Sequence, residues 1–399
     1  MTESDPDQQP LTEYTPEITT TSVTRTIVCQ LETSQQKNEL VREGIEEYQA
    51  MTEHMAAMLP SFPDYEWTQR NPTMYRMVTR AFPNEDRTVK ATIARVAGQK
   101  VASSFNSWAS NGKPGKRPQF GDGSYLGLSH QDVTIERNDR GWGLKASFIP
   151  YNPLWFHLQI GDYQREFLER VTDEDDDASA GSAELHLTDD GRLTCHLTVS
   201  WDVDVYDAPD VSTVVGVDLN DDPLVAVAVV NQPDAESPDI RAVEMESGGE
   251  YRHHRERIKQ KRTEAMERGD LRAIKQTGLT YDRYTDHITN VASRRSVDLA
   301  ADHRPCVIHL EDLTHYRETA DDPIHDWPFE QIQEKIAYKA TEAGIPVRFV
   351  DPRYTSITCR KCGQTDREYR DGRDFACRRC GYEVHADVNA AINIATTTE

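Results

Sequence analysis

Lysine is scarce in this 399-residue chain: 12 lysines accompany 33 arginines, against 68 aspartates and glutamates. The formal charge of −23 argues against a uniformly phosphate-binding surface, since neutralising phosphates requires basic groups. Long apolar runs are also missing, which excludes a transmembrane helix, and no membrane partner is expected. The segment MTESDPDQQPLTEYTPE lacks the basic-then-apolar order of a secretory signal. We therefore expect a soluble, cytoplasmic protein. No internal repeat is present, so a solenoid is excluded.

What positive charge there is has been concentrated. Residues 70–117 hold 10 Lys/Arg against 2 acids, a net of +8. Residues 252–304 hold 13 against 8, a net of +5, and 353–383 hold 8 against 5, a net of +3. By contrast, 172–190 carries 8 acids and no lysine or arginine. A polyanion could lie along the three basic stretches, although each taken alone reads better as a solvated helix face.

Four of the seven cysteines fall in two pairs, Cys359-Arg-Lys-Cys362-Gly363 and Cys377-Arg-Arg-Cys380-Gly381, 14 residues apart. Each pair sets two thiolates on one tight turn, and the glycine after it permits the backbone that such a turn needs. Two such turns close a tetrahedron of four thiolates, the mark of structural Zn²⁺. A closed site has no open position for chemistry. Cys29, Cys195 and Cys306 lie in apolar, strand-like runs and read as ordinary buried residues.

Residues 1–20 are polar and proline-bearing, and disorder is expected there. Thr24–Leu31 alternates as a strand, 33–110 turns helical, and KPGKR at 113–117 breaks the pattern. Strand-like segments follow at Leu126–Ile135, Gly143–Phe148, Trp155–Ile160, Ala183–Leu187 and Leu193–Val203, giving a β-rich region with a helical insertion. The character changes at Val211. Three strands in series (Val214–Asp218, Leu224–Val230, Ile240–Met245) precede helices at Arg252–Gln276 and Asp282–Asp302. A strand at Cys306–Leu310, a helix at Phe329–Ala343, a strand at Val347–Val350 and a short helix at Asp387–Ala395 complete the order expected of an α/β RNase H-like fold.

Within that order, Asp218 ends the strand of VVGVDLN, Glu311 ends the strand of CVIHLEDL, and Asp387 opens the helix of HADVNAAINIA. Each alone reads as a turn or cap acid; Asp387 could be an N-cap, and Asp312 could stand where Glu311 is assigned. Together they could meet at one sheet edge and hold two divalent cations roughly 4 Å apart. Mg²⁺, or Mn²⁺ in its place, suits such a set of hard oxygen ligands.

The run VDPRYTSITCRKCG…FACRRCG…HADVNAAINIA resembles the C-terminal signature of the OrfB/TnpB family, encoded by small insertion sequences, and GVDLN and IHLEDL match that family's first two RuvC motifs. The resemblance is specific from Val211 onward and architectural before it. It implies a RuvC catalytic triad of Asp218, Glu311 and Asp387 and a four-cysteine zinc ribbon held by Cys359, Cys362, Cys377 and Cys380. The implied organisation is a disordered 1–20, a β-barrel-like wedge domain at 21–32 and 111–205, and a helical recognition insertion at 33–110. A RuvC-like nuclease domain would cover 211–354 and 385–399, with the inserted ribbon at 355–384. The implied activity is RNA-guided cleavage of double-stranded DNA, linked to DNA transposition and recombination. A guide RNA from the element's end would read sequence by pairing, while the protein reads shape and a flanking motif. We expect Arg76, Arg80, Arg87 and Lys90 to touch nucleic acid. Nothing matches the paired histidines and nucleophilic Tyr of a tyrosine transposase. The acidic, lysine-poor composition departs from the family's usual basic charge and suggests a haloarchaeal type.

Other classes fit parts of the sequence. A catalytically silent RNA-guided DNA-binding repressor would not need all three acids. A guide-independent, structure-specific nuclease would carry no co-purifying RNA. A zinc-ribbon transcription factor would leave the RNase H-like half unexplained.

Overall fold

The computed structural model describes residues 18–61, 72–112, 116–120, 125–188, 190–206, 211–235, 238–313 and 328–397. Most of the stretch expected to be disordered therefore lies outside the described residues, as do parts of the 113–117 break. Residues 18–20 are strand, which corrects that expectation at its C-terminal end. The chain divides into two compact units, Ser22–Asp202 and Met1–Thr21 with Val203–Glu399.

The first unit is built on a seven-stranded sheet. Its strands are β1 (Ile18–Glu32), β2 (Tyr125–Leu128), β3 (Val133–Asn138), β4 (Gly141–Ala146), β5 (Leu154–Gln159), β6 (Ser179–Leu187) and β7 (Leu193–Tyr206). The spatial order is β2-β6-β7-β1-β5-β4-β3, so β2 and β3 are the two edges. These edges are consecutive in sequence, joined only by Ser129–Asp132. So short a link can span no more than about 18 Å, so the sheet must curl until its edges approach. The result is a nearly closed barrel. The single strand expected over Leu126–Ile135 is therefore two, split where Ser129 Oγ donates to Asp132 Oδ2 at 2.5 Å. Helices α1 (Gln35–Met58), α2 (Pro72–Ala81) and α3 (Ala91–Ser110) form the insertion, and α4 (Asp162–Thr172) follows β5.

The second unit carries a five-stranded sheet of β8 (Thr213–Leu219), β9 (Val225–Asn231), β10 (Asp239–Glu246), β11 (Val307–Glu311) and β12 (Val347–Val350), ordered β10-β9-β8-β11-β12. The first three strands are antiparallel, and β11 runs parallel to both β8 and β12. Helices α5 (Gly249–Glu267), α6 (Leu271–Ala301), α7 (Phe329–Glu342) and α8 (Ala386–Thr396) complete it. The expected helix over Arg252–Gln276 is thus two helices, because Asp270 caps α6 by accepting from the Ala273 amide at 3.0 Å.

Strand alternation divides the core of this unit in two. Val215, Val217, Ile308 and Leu310 pack with Ala292, Ile332 and Ile336 of α6 and α7. Val214, Val307, Ala226 and Ala228 pack on the other face with Val388, Ala391, Ile392 and Ala395 of α8. Each fully buried valine contributes on the order of 1.5–3 kcal/mol, so the register of β8 and β11 is strongly set.

Candidate active site

That register brings the acids together. In the parallel pair, Val307 lies opposite Val214, His309 opposite Gly216 and Leu310 opposite Val217. The next positions, Asp218 and Glu311, end their strands side by side on the face covered by α8. His309 marks that face directly, its Nδ1 lying 3.2 Å from the Ile394 carbonyl. Asp312 lies just past the end of β11 and is exposed. Helix α8 is capped by His385, whose ring accepts from the Asp387 amide at 3.3 Å. Asp387 is therefore inside the first turn and does not serve as the N-cap.

Gly216 makes this arrangement possible. A Cβ at that position would strike the carbonyl of Ala391 and come within 2.6 Å of the Ala395 amide nitrogen. Backbone of α8 thus rests directly on backbone of β8, which brings the start of the helix down to the strand ends.

The three acids differ in how they are held. Asp387, 1% exposed, accepts at Oδ1 from Asn220 Nδ2 and from the Arg370 guanidinium, both at 2.8 Å. Glu311 Oε1 accepts from Thr355 Oγ1 at 2.6 Å, and Gln333 holds the Glu311 carbonyl at 2.7 Å. Asp218, 7% exposed, has a buried Oδ2 with no hydrogen-bond partner. Burial, then the neighbouring Glu311 and Asp387 charges, push the Asp218 carboxyl well above its usual range, with Arg370 opposing. Burial also raises Glu311, offset by Thr355 and Arg370. An orphaned carboxylate oxygen beside two further acids is costly in a protein interior. A divalent cation would relieve that cost, so the donor set fits one.

The second centre is the cysteine cluster. Cys359, Cys362, Cys377 and Cys380 offer sulfurs that all lie within 4.8 Å of one another. The Cys359–Cys380 and Cys362–Cys377 sulfur pairs are each 3.7 Å apart. A tetrahedron with metal–sulfur bonds of about 2.3 Å has edges of about 3.8 Å, so the sulfurs already stand at ligand spacing. The turns are near copies. Gly363 (φ +69°) donates to the Cys359 carbonyl at 2.8 Å, and Gly381 (φ +68°) to that of Cys377 at 2.9 Å. Behind them lie Tyr369, Phe375 and Ala386, and strands β13 (Arg370–Asp371), β14 (Asp374–Ala376) and β15 (Glu383–His385).

The two centres share α8. Asn389 and Asn393, one turn apart, donate to the Thr358 carbonyl at 2.8 and 2.7 Å, and Asn393 reaches the Thr355 carbonyl at 2.6 Å. Arg370 extends from the ribbon to Asp387. Sequence reasoning missed Gly216, Asn220, Thr355, Arg370, Asn389 and Asn393. Only the two asparagines gave a signal, being polar residues four apart in an otherwise apolar helix.

Of the expected nucleic-acid contacts, Arg76 and Arg80 are exposed on α2, while Arg87 and Lys90 are half-buried. Arg87 Nε and one terminal nitrogen are buried without a partner.

Residues 329–394 match a family model described as "Cas12f1-like, TNB domain". A CRISPR-associated endodeoxyribonuclease Cas12f1 of Sulfoacidibacillus thermotolerans is 33% identical over 230 residues, covering 54% of this chain and 53% of the relative. A TnpB-like protein of Aquifex aeolicus (strain VF5) is 40% identical over 73 residues, covering 18% of this chain and 24% of the relative. The chain is thus similar to Cas12f1 and TnpB-like proteins, most specifically over residues 329–394. Its fold agrees: a solved Cas12f1–sgRNA–target DNA complex contains a chain superposing with a TM-score of 0.62 at 16% identity, over 91% of this chain and 83% of that one. The chain spans only about half the length of its Sulfoacidibacillus relative. Among the described residues no helix is long and apolar enough to cross a membrane.

Proposed function

We propose that the chain is an RNA-guided DNA endonuclease of the TnpB type, with Asp218, Glu311 and Asp387 as its catalytic acids. The observation that carries this reading is the buried, partnerless Oδ2 of Asp218 standing with two further carboxylates at the ends of β8 and β11. These acids would hold Mg²⁺ or Mn²⁺, which supplies charge neutralisation at the scissile phosphate and lowers the pKa of attacking water. The chain's own groups fix the ligands. Asn220 and Arg370 orient Asp387 from one side, and Thr355 fixes Glu311. Gly216 lets α8 seat close enough to complete the set.

We assign Zn²⁺ to the four cysteines, where it would hold Thr355 and Arg370 in place rather than act on substrate. The same reading makes the barrel and its helices the wedge and recognition parts, residues 211–354 and 385–399 the RuvC-like part, and 355–384 the ribbon. It takes guide RNA and target DNA as partners, and Arg76, Arg80, Arg87 and Lys90 as contacts to them. Retention of all three acids in one cluster favours cutting over silent repression.

Sequencing RNA that co-purifies with the protein, then offering plasmids matching it, tests the proposal. A discrete co-purified RNA that directs Mg²⁺-dependent cutting of the matching plasmid is expected. Cutting that proceeds equally on unmatched DNA after RNA is removed would replace this reading with a guide-independent nuclease. Arg80→Gln should flatten the slope of log affinity against log salt by about 0.7–0.9 if it contacts a phosphate. An unchanged slope with a lower melting temperature would make this arginine scaffolding.

A further inference from the structure

The β6–β7 hairpin carries a third cluster of ligating side chains, far simpler in construction than the ribbon. Its inner face is buried through Ala183, Leu185, Leu187, Cys195 and Leu197. Alternation therefore turns Glu184, His186 and His196 to the outer face together. Glu184 pairs directly across the ladder with His196, and His186 is two residues along from Glu184. The carboxylate and imidazole atoms of the three lie within 4.8 Å of one another. His186 Nε2 is 3.1 Å from Glu184 Oε2, and the two imidazole rings stack with centroids 4.0 Å apart.

We propose that Glu184, His186 and His196 form a binding site for a divalent transition metal of the Zn²⁺, Co²⁺ or Ni²⁺ class. Two imidazoles and one carboxylate are a borderline-soft set that favours these ions over Mg²⁺ or Mn²⁺, which suit the all-oxygen centre of the other unit. The nearby cation does not block it. Lys100 approaches Glu184 through Oε1, at 3.5 Å, leaving Oε2 toward the histidines. Tyr125 stacks on His186 with centroids 5.1 Å apart and limits its swing. The hairpin ladder fixes the Cα positions, so ligation needs only small rotations of two rings. Three protein ligands leave further positions for water or another oxygen donor.

The test is a Co²⁺ titration of the full-length protein with its ribbon loaded with zinc, in excess Mg²⁺ to fill the carboxylate centre. One added equivalent should bind with weak visible bands and no thiolate charge-transfer band. It should broaden the ring signals of His186 and His196 before those of the other histidines. His186→Ala and His196→Ala, both at half-buried positions, should each weaken binding by on the order of 10–100-fold. Co²⁺ binding unchanged in the double variant overturns the proposal. So does a wild-type titration in which these two rings are not the first affected, a readout that does not depend on any variant folding.

Discussion

The four sulfurs of the ribbon come from one short stretch, Cys359 to Cys380, whereas Asp218, Glu311 and Asp387 are drawn from two strands and a helix. The sulfurs stand at metal spacing on turns that two glycines and local amides hold. The oxygens stand together only because β8, β11 and α8 pack in one register, and one of them is left buried without a donor. A ligand set of the first kind closes on its ion and stabilises a fold. A set of the second kind is held against its own repulsion by the rest of the protein, and keeps affinity for a cation and substrate in reserve.

If that contrast is right, damage to the packing should disable the acids and spare the cysteines. Gly216→Ala forces α8 off β8 and should reduce cutting by on the order of 100-fold or more, with about 1–3 kcal/mol or more of lost stability. Zinc content should stay at one ion per chain. Loss of zinc in this variant would show that the ribbon depends on the strand packing, and would erase the distinction.

The converse change is Cys359→Ser. It should release zinc and loosen the loop that presents Thr355 and Arg370, lowering the cutting rate by roughly tenfold. The Mg²⁺ dependence of the remaining activity should be unchanged, as a titration of rate against Mg²⁺ would show. A shifted dependence would mean that the cysteine site takes part in the chemistry.

Much of this contrast could be read before the fold was known, for physical reasons. The CxxCG turns carry their geometry in adjacent residues. Asp218 and Glu311 follow apolar strands whose buried lengths set their ends. The supporting residues were not legible, because Arg370 reaches Asp387 and Thr355 reaches Glu311 only through the folded ribbon. Glu184, His186 and His196 gave no signal either, because only the pairing of β6 with β7 brings them together. Breaks inside elements also escaped: Ser129–Asp132 splits two strands and Asp270 divides two helices, each through a side-chain cap that propensity does not weigh. Helix α4, short and rich in charge, was missed altogether.

A smaller effect separates the two centres by pH. Because burial and its acidic neighbours raise Asp218 in the folded chain, the native state prefers it protonated. Its contribution is intact below the usual carboxylate range and is lost as pH rises through the raised folded value. In metal-free conditions Asp218→Asn should therefore melt higher than the parent near neutral pH, by on the order of a few °C, with the gap closing toward pH 4. Calorimetry across that range checks it, and a variant less stable than the parent at pH 7 would remove the claim of stored repulsion.

The central claim is that the strand-end carboxylates carry the cutting reaction. Its most direct test is the Mg²⁺-dependent cleavage rate of Asp218→Ala on guide-matched DNA, measured beside its affinity for the guide RNA. The rate should fall on the order of 10³-fold or more, while RNA affinity stays within about twofold of the parent. Cleavage at a near-parental rate would contradict the account and move the chemistry elsewhere in the chain.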